Sequence, residues 1–327
     1  MNRVLGIGNA LTDVLIQIES EDILKELGLP KGSMQLIDQS QFINIQQRIS
    51  NMPVHLVCGG SAANTITGIS KMGMKTGFIF KVHNDEIGDN YKKDLEMYGV
   101  ETIALEDVQP SGRSLVFITP DGERTMATFL GAAAAMTPED LKAEMFTGYD
   151  LFYTEGYLVQ NHELIETAMK MAKDAGLKVA LDLASYNVVE SNKEFLEMLI
   201  DTYVDIVFAN EEESMALTSL NHDQAVIHMG ENTYISVVKL GSNGAIGRRG
   251  NEHARVPAVK ANCIDTTGAG DLFASGFLYG LSLDKTLQEC LRFGTISAGK
   301  VIEHIGPKID NAGWESIMKD FNDKQSI

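Results

Sequence analysis

The run from Asp265 to Asp271, Asp-Thr-Thr-Gly-Ala-Gly-Asp, carries the residue types with the clearest chemistry in this chain. Small residues at 268–270 leave backbone N–H groups bare where an apolar helix pattern begins, and the helix dipole makes such a turn a binding site for anions. An aspartate in the first helical turn could take a proton from a hydroxyl while the amides hold a transferring phosphate. The same residues also suit an ordinary helix N-terminus, where the dipole favours an acid.

Two further segments place polar groups where a strand ends. Gly59-Gly60 leads into Asn64, and a glycine pair lets the backbone approach a ligand while the Asn amide offers a donor and an acceptor to a diol. The segment from Gly6 to Asp13 begins like a dinucleotide fingerprint, but the third glycine is missing. Asp13 therefore suits either a ligand contact or a buried carboxylate that is bonded to loop amides.

Together these runs resemble the two signatures of the ribokinase-like (PfkB) family of carbohydrate and nucleoside kinases. The C-terminal signature agrees at every position up to Asp271, and the N-terminal one runs from Gly59 to Gly73, with Ile66 where the family usually has a small residue. The resemblance extends from Asp13 to about His304. Shorter phrases, among them 119–126, look like the bacterial adenosine-kinase-like branch.

The resemblance implies a role for each matching residue. In this family the closing aspartate is the catalytic base and the turn amides form an anion hole, which places these roles on Asp271 and on Gly268, Ala269 and Gly270. Arg124 matches an arginine that reaches the phosphates, although a solvated hairpin arginine would fit as well. The positions that match substrate-binding residues are Asn9, Asp13, Gly59, Gly60, Asn64 and Glu155.

The resemblance also implies ATP and Mg²⁺ as cofactors. Asn210 and Glu213 match an Asn-x-x-Glu element that orders Mg²⁺ and its waters, but an N-capped helix with acids in its first turn has the same pattern. Asp265 is a third metal candidate, and a monovalent cation (K⁺) is expected near it. The nucleotide is expected at Lys239, Gly241, Gly244, Thr266, Gly268 and Gly270.

The elements that must position these residues alternate along the chain. Short β-branched runs, such as Val4–Ile7 and Lys178–Leu181, are separated by helical patterns, such as the spacing of Ile87, Tyr91 and Leu95. The alternation predicts an α/β fold, a mostly parallel sheet flanked by helices on both faces. Val54–Val57 is predicted as one of its buried strands, and Thr137-Pro138-Glu139-Asp140 as a helix start.

Two segments, approximately 13–38 and 113–130, do not follow this alternation. Each contains short strand-like runs, and the second has a turn at Pro120-Asp121-Gly122. Because isolated hairpins need a partner, we predict that they form a small β-sheet lid inserted in a single domain, 1–327. Apolar lid residues that could cover a purine are Leu15, Met34, Phe117 and Phe129.

Composition excludes several classes of function. The 327 residues include 27 Lys and Arg against 45 Asp and Glu, a net charge of −18 that disfavours nucleic acid and anionic membranes as partners. No apolar run approaches the roughly 20 residues of a membrane span. Cys58, Cys263 and Cys290 lack metal-site spacing and are expected to be buried reduced thiols in a cytoplasmic protein, a monomer or homodimer.

These expectations favour an ATP-dependent kinase that phosphorylates a primary hydroxyl, with adenosine as the first candidate substrate. A sugar kinase acting on ribose, fructose or 2-keto-3-deoxygluconate is the alternative. A non-catalytic nucleoside or sugar sensor of the same fold is a different class, because a fold does not determine function. An NAD-dependent oxidoreductase is disfavoured by the incomplete glycine fingerprint and the missing downstream acid that would hold the ribose.

Overall fold

A nine-stranded sheet forms the centre of the protein in the computed structural model, which describes residues 1–120 and 124–323. Its order is β14-β13-β12-β11-β10-β9-β1-β5-β6, with parallel pairing from β12 to β6 and an antiparallel hairpin at the other edge. The strands are β1 (Arg3–Ile7), β2 (Leu11–Gln17), β3 (Met34–Leu36), β4 (Val54–Cys58), β5 (Lys75–His83), β6 (Val100–Asp107), β7 (Gly112–Ile118), β8 (Arg124–Phe129), β9 (Leu151–Glu155), β10 (Lys178–Asp182), β11 (Ile206–Asn210), β12 (Ile235–Lys239), β13 (Ala245–Arg249) and β14 (Glu252–Val256).

Helices cover both faces of this sheet, as the alternation predicted. Successive residues of a strand point to opposite faces, so Val4 and Leu5 of β1 belong to two different apolar clusters and are both fully buried. One cluster packs against α5, α7, α8 and α9, and the other against α3, α4, α10 and α11. The helices are α1 (Asp22–Leu27), α2 (Gln39–Ile49), α3 (Ser61–Lys71), α4 (Glu86–Met97), α5 (His162–Asp174), α6 (Tyr186–Ser191), α7 (Lys193–Thr202), α8 (Glu211–Thr218), α9 (His222–Met229), α10 (Ala269–Ser282), α11 (Leu287–Val301) and α12 (Asn311–Asn322).

The second sheet has five strands in the order β3-β8-β7-β2-β4 and is called the lid here. Its outer face carries Val14, Ile16 and Phe117, which pack against helices α1 and α2 in a separate small core. The inner face carries Asp13, which the family resemblance placed near the substrate, and Arg124, which it placed near the phosphates. The lid therefore has one face buried by its own helices and one face directed toward the large domain.

The prediction that Val54–Val57 is a buried strand of the main sheet was wrong. These residues form β4 at the edge of the lid, where Val54 and Leu56 are 42% and 47% exposed. An apolar β-branched run predicts a strand but not the sheet it joins. Of the predicted turn at Pro120-Asp121-Gly122, residues 121 and 122 lie outside the described residues, as does Glu123.

Two other expectations were only partly right. Thr137 caps a helix with Pro138 at its start, as expected, but the helix is a single 3₁₀ turn, Pro138–Asp140. The Asp140 carboxylate there accepts from the Thr137 N–H at 2.8 Å and from the buried Lys81 ammonium at 2.7 Å. All three cysteines are free as expected, but Cys263 is exposed and only Cys290 is fully buried. No helix of the described chain combines the length and apolar character needed to cross a bilayer.

Candidate active site

The carboxylate of Asp271 lies where two helices begin side by side. Asp271 is in the first turn of α10, and its Oδ1 accepts a hydrogen bond from Ser61 Oγ (2.7 Å) while its Oδ2 accepts one from Asn64 Nδ2 (2.9 Å), both on the first turn of α3. The helices approach closely at Gly68, where a Cβ would collide with the Ser275 side chain. The segment from Gly59 to Asn64 and the turn ending at Asp271 therefore form one site.

Burial and hydrogen bonding shift the pKa of Asp271 in opposite directions. Removal from water raises its pKa to about 6, although the hydrogen bonds from Ser61 and Asn64 lower it. At neutral pH the group is ionised, and it is a stronger base than an ordinary aspartate. A carboxylate with such a pKa suits proton transfer from a hydroxyl.

Backbone donors converge beside this carboxylate. Gly268 adopts φ +78°, a left-handed conformation that favours glycine, and it directs the start of α10 into the cleft. The amides of Gly268 and Gly270 donate to no other described residue, whereas the Ala269 amide donates to the Thr266 carbonyl at 3.1 Å. Two of the three predicted amides are thus available to an anion, and the third is used within the turn.

Lys239 contributes a cation to the same turn. Its Nζ lies 3.1 Å from the position that a Cβ on Gly270 would take, and it pairs with Asp182 Oδ2 at 2.7 Å. Burial lowers the pKa of Lys239, but the carboxylates of Asp182 and Glu213 outweigh this effect and the net shift is upward. The ammonium is therefore charged, and it lies beside the turn that is predicted to bind an anion. Asp182, at the end of β10, is a site residue that sequence reasoning missed.

The Asp13 carboxylate faces the cleft from the lid. Burial raises its pKa to about 6, Arg124 opposes this shift, and no donor among the described residues is bonded to it. Gly59 lies against it, with its Cβ position 3.3 Å from Asp13 Oδ2. Gly60 has φ +95°, and any side chain there would meet the Asn9 carbonyl at 2.6 Å. Asp13 is thus an unpaired carboxylate that faces the cleft, and the glycines keep the cleft open around it.

Glu155 connects the predicted substrate residues beneath the cleft. Its side chain is buried, with Oε1 accepting from the Asn9 backbone N–H (3.1 Å) and Oε2 from the Ala62 N–H (2.6 Å). Burial raises its pKa to about 7 despite these bonds. The carboxylate therefore holds Asn9 against the start of α3, and its contact with substrate stays a prediction.

Arg124 joins the lid to the large domain. Its guanidinium donates to Thr267 Oγ1 at 2.8 Å and forms a short ion pair with Asp265 Oδ2. Asp265 also accepts from the Thr267 and Gly306 amides, and although burial raises its pKa, these bonds and Arg124 hold it below the usual value. Arg124 therefore lies beside the glycine turn with a carboxylate as its partner, and its contact with phosphate stays a prediction.

The comparisons with known proteins decide the family. The sequence model described as pfkB family carbohydrate kinase matches residues 33–312. The chain belongs to this family. It is therefore a PfkB kinase with a ribokinase-like α/β fold.

Individual relatives carry two kinds of name. An adenosine kinase from Sinorhizobium meliloti is 34% identical, with a TM-score of 0.86 over 98% of this chain and 99% of that one. A probable sugar kinase from Rhizobium etli is 33% identical, with a TM-score of 0.87 over 98% of both chains. An uncharacterized sugar kinase of Archaeoglobus fulgidus is 29% identical over 245 residues, 74% of this chain and 96% of the relative. These similarities support a sugar or nucleoside kinase.

PfkB kinases use ATP, generally with Mg²⁺, and the predicted Mg²⁺ residues have another role in this structure. Asn210 caps α8, and both Glu213 oxygens accept hydrogen bonds, from the Asn210 N–H and Nδ2 at 2.7 Å each. Glu213 is 2% exposed, and burial raises its pKa to about 7. Within residues 1–120 and 124–323 no three His, Cys, Asp or Glu side chains form a metal-binding group. The pair therefore fits Mg²⁺ only through waters that the ion retains.

The predicted K⁺ does not fit the arrangement around Asp265. Oδ1 accepts from Thr267 N and Oγ1, and Oδ2 accepts from Gly306 N and Arg124. Both carboxylate oxygens are engaged by donors, and a guanidinium already supplies the positive charge. A cation would have to displace Arg124.

The predicted nucleotide residues surround the hairpin between β12 and β13. Gly244 has φ +90° and packs against the Val256 carbonyl, so its lack of a side chain is required by the hairpin itself, whereas Gly241 and Thr266 are exposed. A cavity of about 450 Å³ opens next to this hairpin. It is lined by 256–260 and by residues of α11, among them Ile296 and Gly299.

Proposed function

We propose that this kinase transfers the γ-phosphoryl group of ATP to a primary hydroxyl of a nucleoside, with adenosine as the first candidate. The observation that carries the proposal is the Asp271 carboxylate, held by Ser61 and Asn64 beside the unpaired amides of Gly268 and Gly270. A base and an anion-binding turn at one point are what phosphoryl transfer to a hydroxyl requires.

In the proposed step, Asp271 accepts the proton of the substrate hydroxyl as that oxygen forms its bond to the γ-phosphorus. The bond from the γ-phosphorus to the bridging oxygen breaks, and ADP leaves with the electron pair. The amides of Gly268 and Gly270, with Lys239 and Arg124, stabilise the charge on the transferred group. When bound with the nucleotide, Mg²⁺ would be held through water by Asn210 and Glu213 and would neutralise phosphate charge.

The inner face of the lid supports a nucleoside rather than a free sugar. Strand register places Leu15, Val116, Met126 and Met34 side by side in one row across four strands, because Leu15 pairs with Val116, and Met126 pairs with both Val116 and Met34. Directly paired residues point to the same face. These four positions are apolar, and His55 of β4 follows Leu15 at the end of the row. Val116 is buried, so Leu15, Met126 and Met34 supply the apolar surface that we propose for a planar base.

The adjacent row on the same face is polar at its three central positions, with Val57 and Leu36 at its two ends. It contains Asp13, Ser114 and Thr128, where Asp13 pairs with Ser114 and Ser114 with Thr128, and the two hydroxyls lie 2.9 Å apart. Rows on one face are separated by two residues, about 7 Å. That spacing suits ribose hydroxyls against the polar row and a purine against the apolar row.

The expectation that Phe117 and Phe129 cover the base was wrong. Both side chains belong to the core on the outer face, where Phe129 stacks on Phe42 of α2 with ring centroids 5.1 Å apart. Leu15 and Met34 remain on the inner face. The large open surface of Met34, which is 47% exposed, leaves it available to a ligand.

For ATP, we propose that the base occupies the 450 Å³ cavity beside the β12–β13 hairpin, since it opens at the same end of the sheet as Lys239. The family assignment supports ATP as the phosphoryl donor.

The test of the proposal is a comparison of turnover with ATP for adenosine, ribose, fructose and 2-keto-3-deoxygluconate. We expect kcat/KM for adenosine to exceed the sugars by at least ~10²-fold, because an apolar contact of base size contributes several kcal/mol. Equal or faster phosphorylation of a free sugar would reject the nucleoside and leave the sugar kinase alternative.

A further inference from the structure

Three buried polar atoms behind the Asp271 site have no hydrogen-bond partner among the described residues. They are Asn64 Oδ1, Thr67 Oγ1 and Trp314 Nε1, and their residues are 7%, 4% and 7% exposed. A buried polar atom without a partner is costly, so each such atom calls for a ligand.

The same three residues line one cavity. Its volume is about 10 Å³, and the remaining wall comes from α3, α10, Tyr98 at the end of α4 and the segment that precedes α12. That volume is close to the lower limit for one water molecule, which also needs two to four polar partners. The cavity thus has the size of a single water and three groups to bind it.

The chemistry of the three atoms is complementary to water. The indole N–H can only donate, the Asn64 carboxamide oxygen can only accept, and the Thr67 hydroxyl can do either. Two other polar side chains line the wall: the Lys308 ammonium, which is bonded to Asp94 at 2.8 Å, and the Tyr98 phenol. A water that accepts from Trp314 and donates to Asn64 and Thr67 would leave none of the three unpaired.

We propose that one structural water occupies this cavity and that, through it, Trp314 and Thr67 position the Asn64 amide. The Asn64 side chain has two ends. Nδ2 donates to Asp271 Oδ2, and Oδ1 faces the cavity. A water fixed by Trp314 and bonded to Oδ1 holds the amide with its nitrogen toward Asp271. Trp314 of α12 and Thr67 of α3 are therefore positioning residues, and the importance for catalysis rests on the proposed role of Asp271 as base.

The water itself is tested without any substrate. Trp314 is the only tryptophan in the 327 residues, so its indole N–H gives a single NMR resonance after ¹⁵N labelling. We expect a cross-relaxation peak between this proton and a long-lived water in the full-length protein, lost in Thr67→Val and retained in Thr67→Ser. A high-resolution crystal structure should show one water within hydrogen-bond distance of all three atoms. A dry cavity, or a protein donor on Asn64 Oδ1, would overturn the proposal whatever the substrate.

The effect on the base is tested with the best substrate found for the kinase. Trp314→Phe removes the N–H and keeps an aromatic ring, and we expect kcat to fall about three- to tenfold with KM for ATP unchanged, as for a weakened hydrogen bond to a charged group. Since a carboxylate that loses a donor binds its proton more tightly, the acid limb of the kcat profile should move to higher pH.

Thr67 gives the matched pair that separates positioning from packing. Thr67→Val keeps the shape and removes the hydroxyl, whereas Thr67→Ser keeps the hydroxyl and removes a methyl group. We expect Thr67→Val to reproduce the pH shift of Trp314→Phe, and Thr67→Ser to keep the wild-type dependence of kcat on pH. Loss of activity in both Thr67 variants with an unmoved pH profile would show a packing effect and reject the positioning role.

Discussion

The side-chain amide of Asn64 donates a hydrogen bond to Asp271 at 2.9 Å, joining residues that are 207 positions apart. The two signature segments of the sequence thus meet at a single carboxylate. Ser61 completes the arrangement from the same helical turn as Asn64. The segment that the sequence assigned to the substrate therefore also orients the candidate base.

Asp271→Asn is expected to lower kcat by ~10²–10⁴, because the amide keeps the shape of the side chain but is not a base. Substrate affinity, measured separately by calorimetry, should change little. The matched comparison is Asp13→Ala, which removes the unpaired lid carboxylate and should weaken substrate binding more than ATP binding. Near-normal kcat in Asp271→Asn would place the base elsewhere.

Asp271→Asn should also raise the thermal stability of the protein, although it lowers kcat. Burial raises the pKa of Asp271 from 3.8 to about 6, so the folded protein binds the proton more tightly than the unfolded chain, and the carboxylate destabilises the fold above pH 6. Asp271→Asn should therefore raise Tm at pH 8. The gain should shrink as pH falls through 6 and vanish below about 4, where both states are protonated. A lower Tm for Asp271→Asn than for wild type at pH 8 would show that the buried carboxylate does not destabilise the fold.

The pH dependence of turnover follows from the same shift. Catalysis needs the ionised carboxylate, so kcat/KM, which reports the free enzyme, should fall as pH decreases through about 6, whereas an ordinary aspartate would titrate near 3.8. The measurement is kcat/KM for the substrate from pH 5 to 8 with saturating ATP. Constant kcat/KM down to pH 5 would show that the base titrates in its ordinary range.

The ion pair of Arg124 with Asp265 is expected to hold the lid against the large domain. Asp265→Asn should speed amide hydrogen exchange in β2, β7 and β8, and substrate should slow it again, because closure expels water from the site. The control is Lys25→Ala, which removes an exposed lid ion pair with Asp22 and should leave exchange unchanged. Equal exchange in Asp265→Asn and wild type would reject this role.

Neighbouring residues of β2 separate substrate binding from lid stability. Leu15 belongs to the inner row and Val14 to the outer core. Leu15→Ala should raise KM for adenosine about tenfold, the scale of one lost apolar contact, with little change in Tm. Val14→Ala should lower Tm through a core cavity and leave KM near normal. A large KM increase from Val14→Ala alone would reverse the assignment of the two faces.

The sequence alone was sufficient for the features that depend on local chemistry. The glycine turn before Asp271, the glycine pair before Asn64 and the alternation of buried strands with helices are each written in consecutive residues. Glycine turns, helix caps and strands that are buried on both faces each depend on only a few consecutive residues. Their patterns are therefore visible in the sequence itself. The fold class was predicted in this way, whereas the choice of Asp271 as candidate base also needed the resemblance to the PfkB signature.

Contacts between distant segments were decided by the tertiary structure. An apolar run such as Val54–Val57 pairs equally well in either sheet. The alternation along β7 also does not say whether the face of the strand that carries Phe117 packs against the helices or faces the cleft. Likewise the four residues Asn210–Glu213 predicted either a cap or a metal site. Asn210 engages both Glu213 oxygens locally, but the burial of Glu213 comes from tertiary packing. Asp182 and Trp314 carry no local signal, because their roles arise from partners on other elements. Pairing, burial and desolvation are properties of the assembled fold, and they turn the residues of the two signatures into one site.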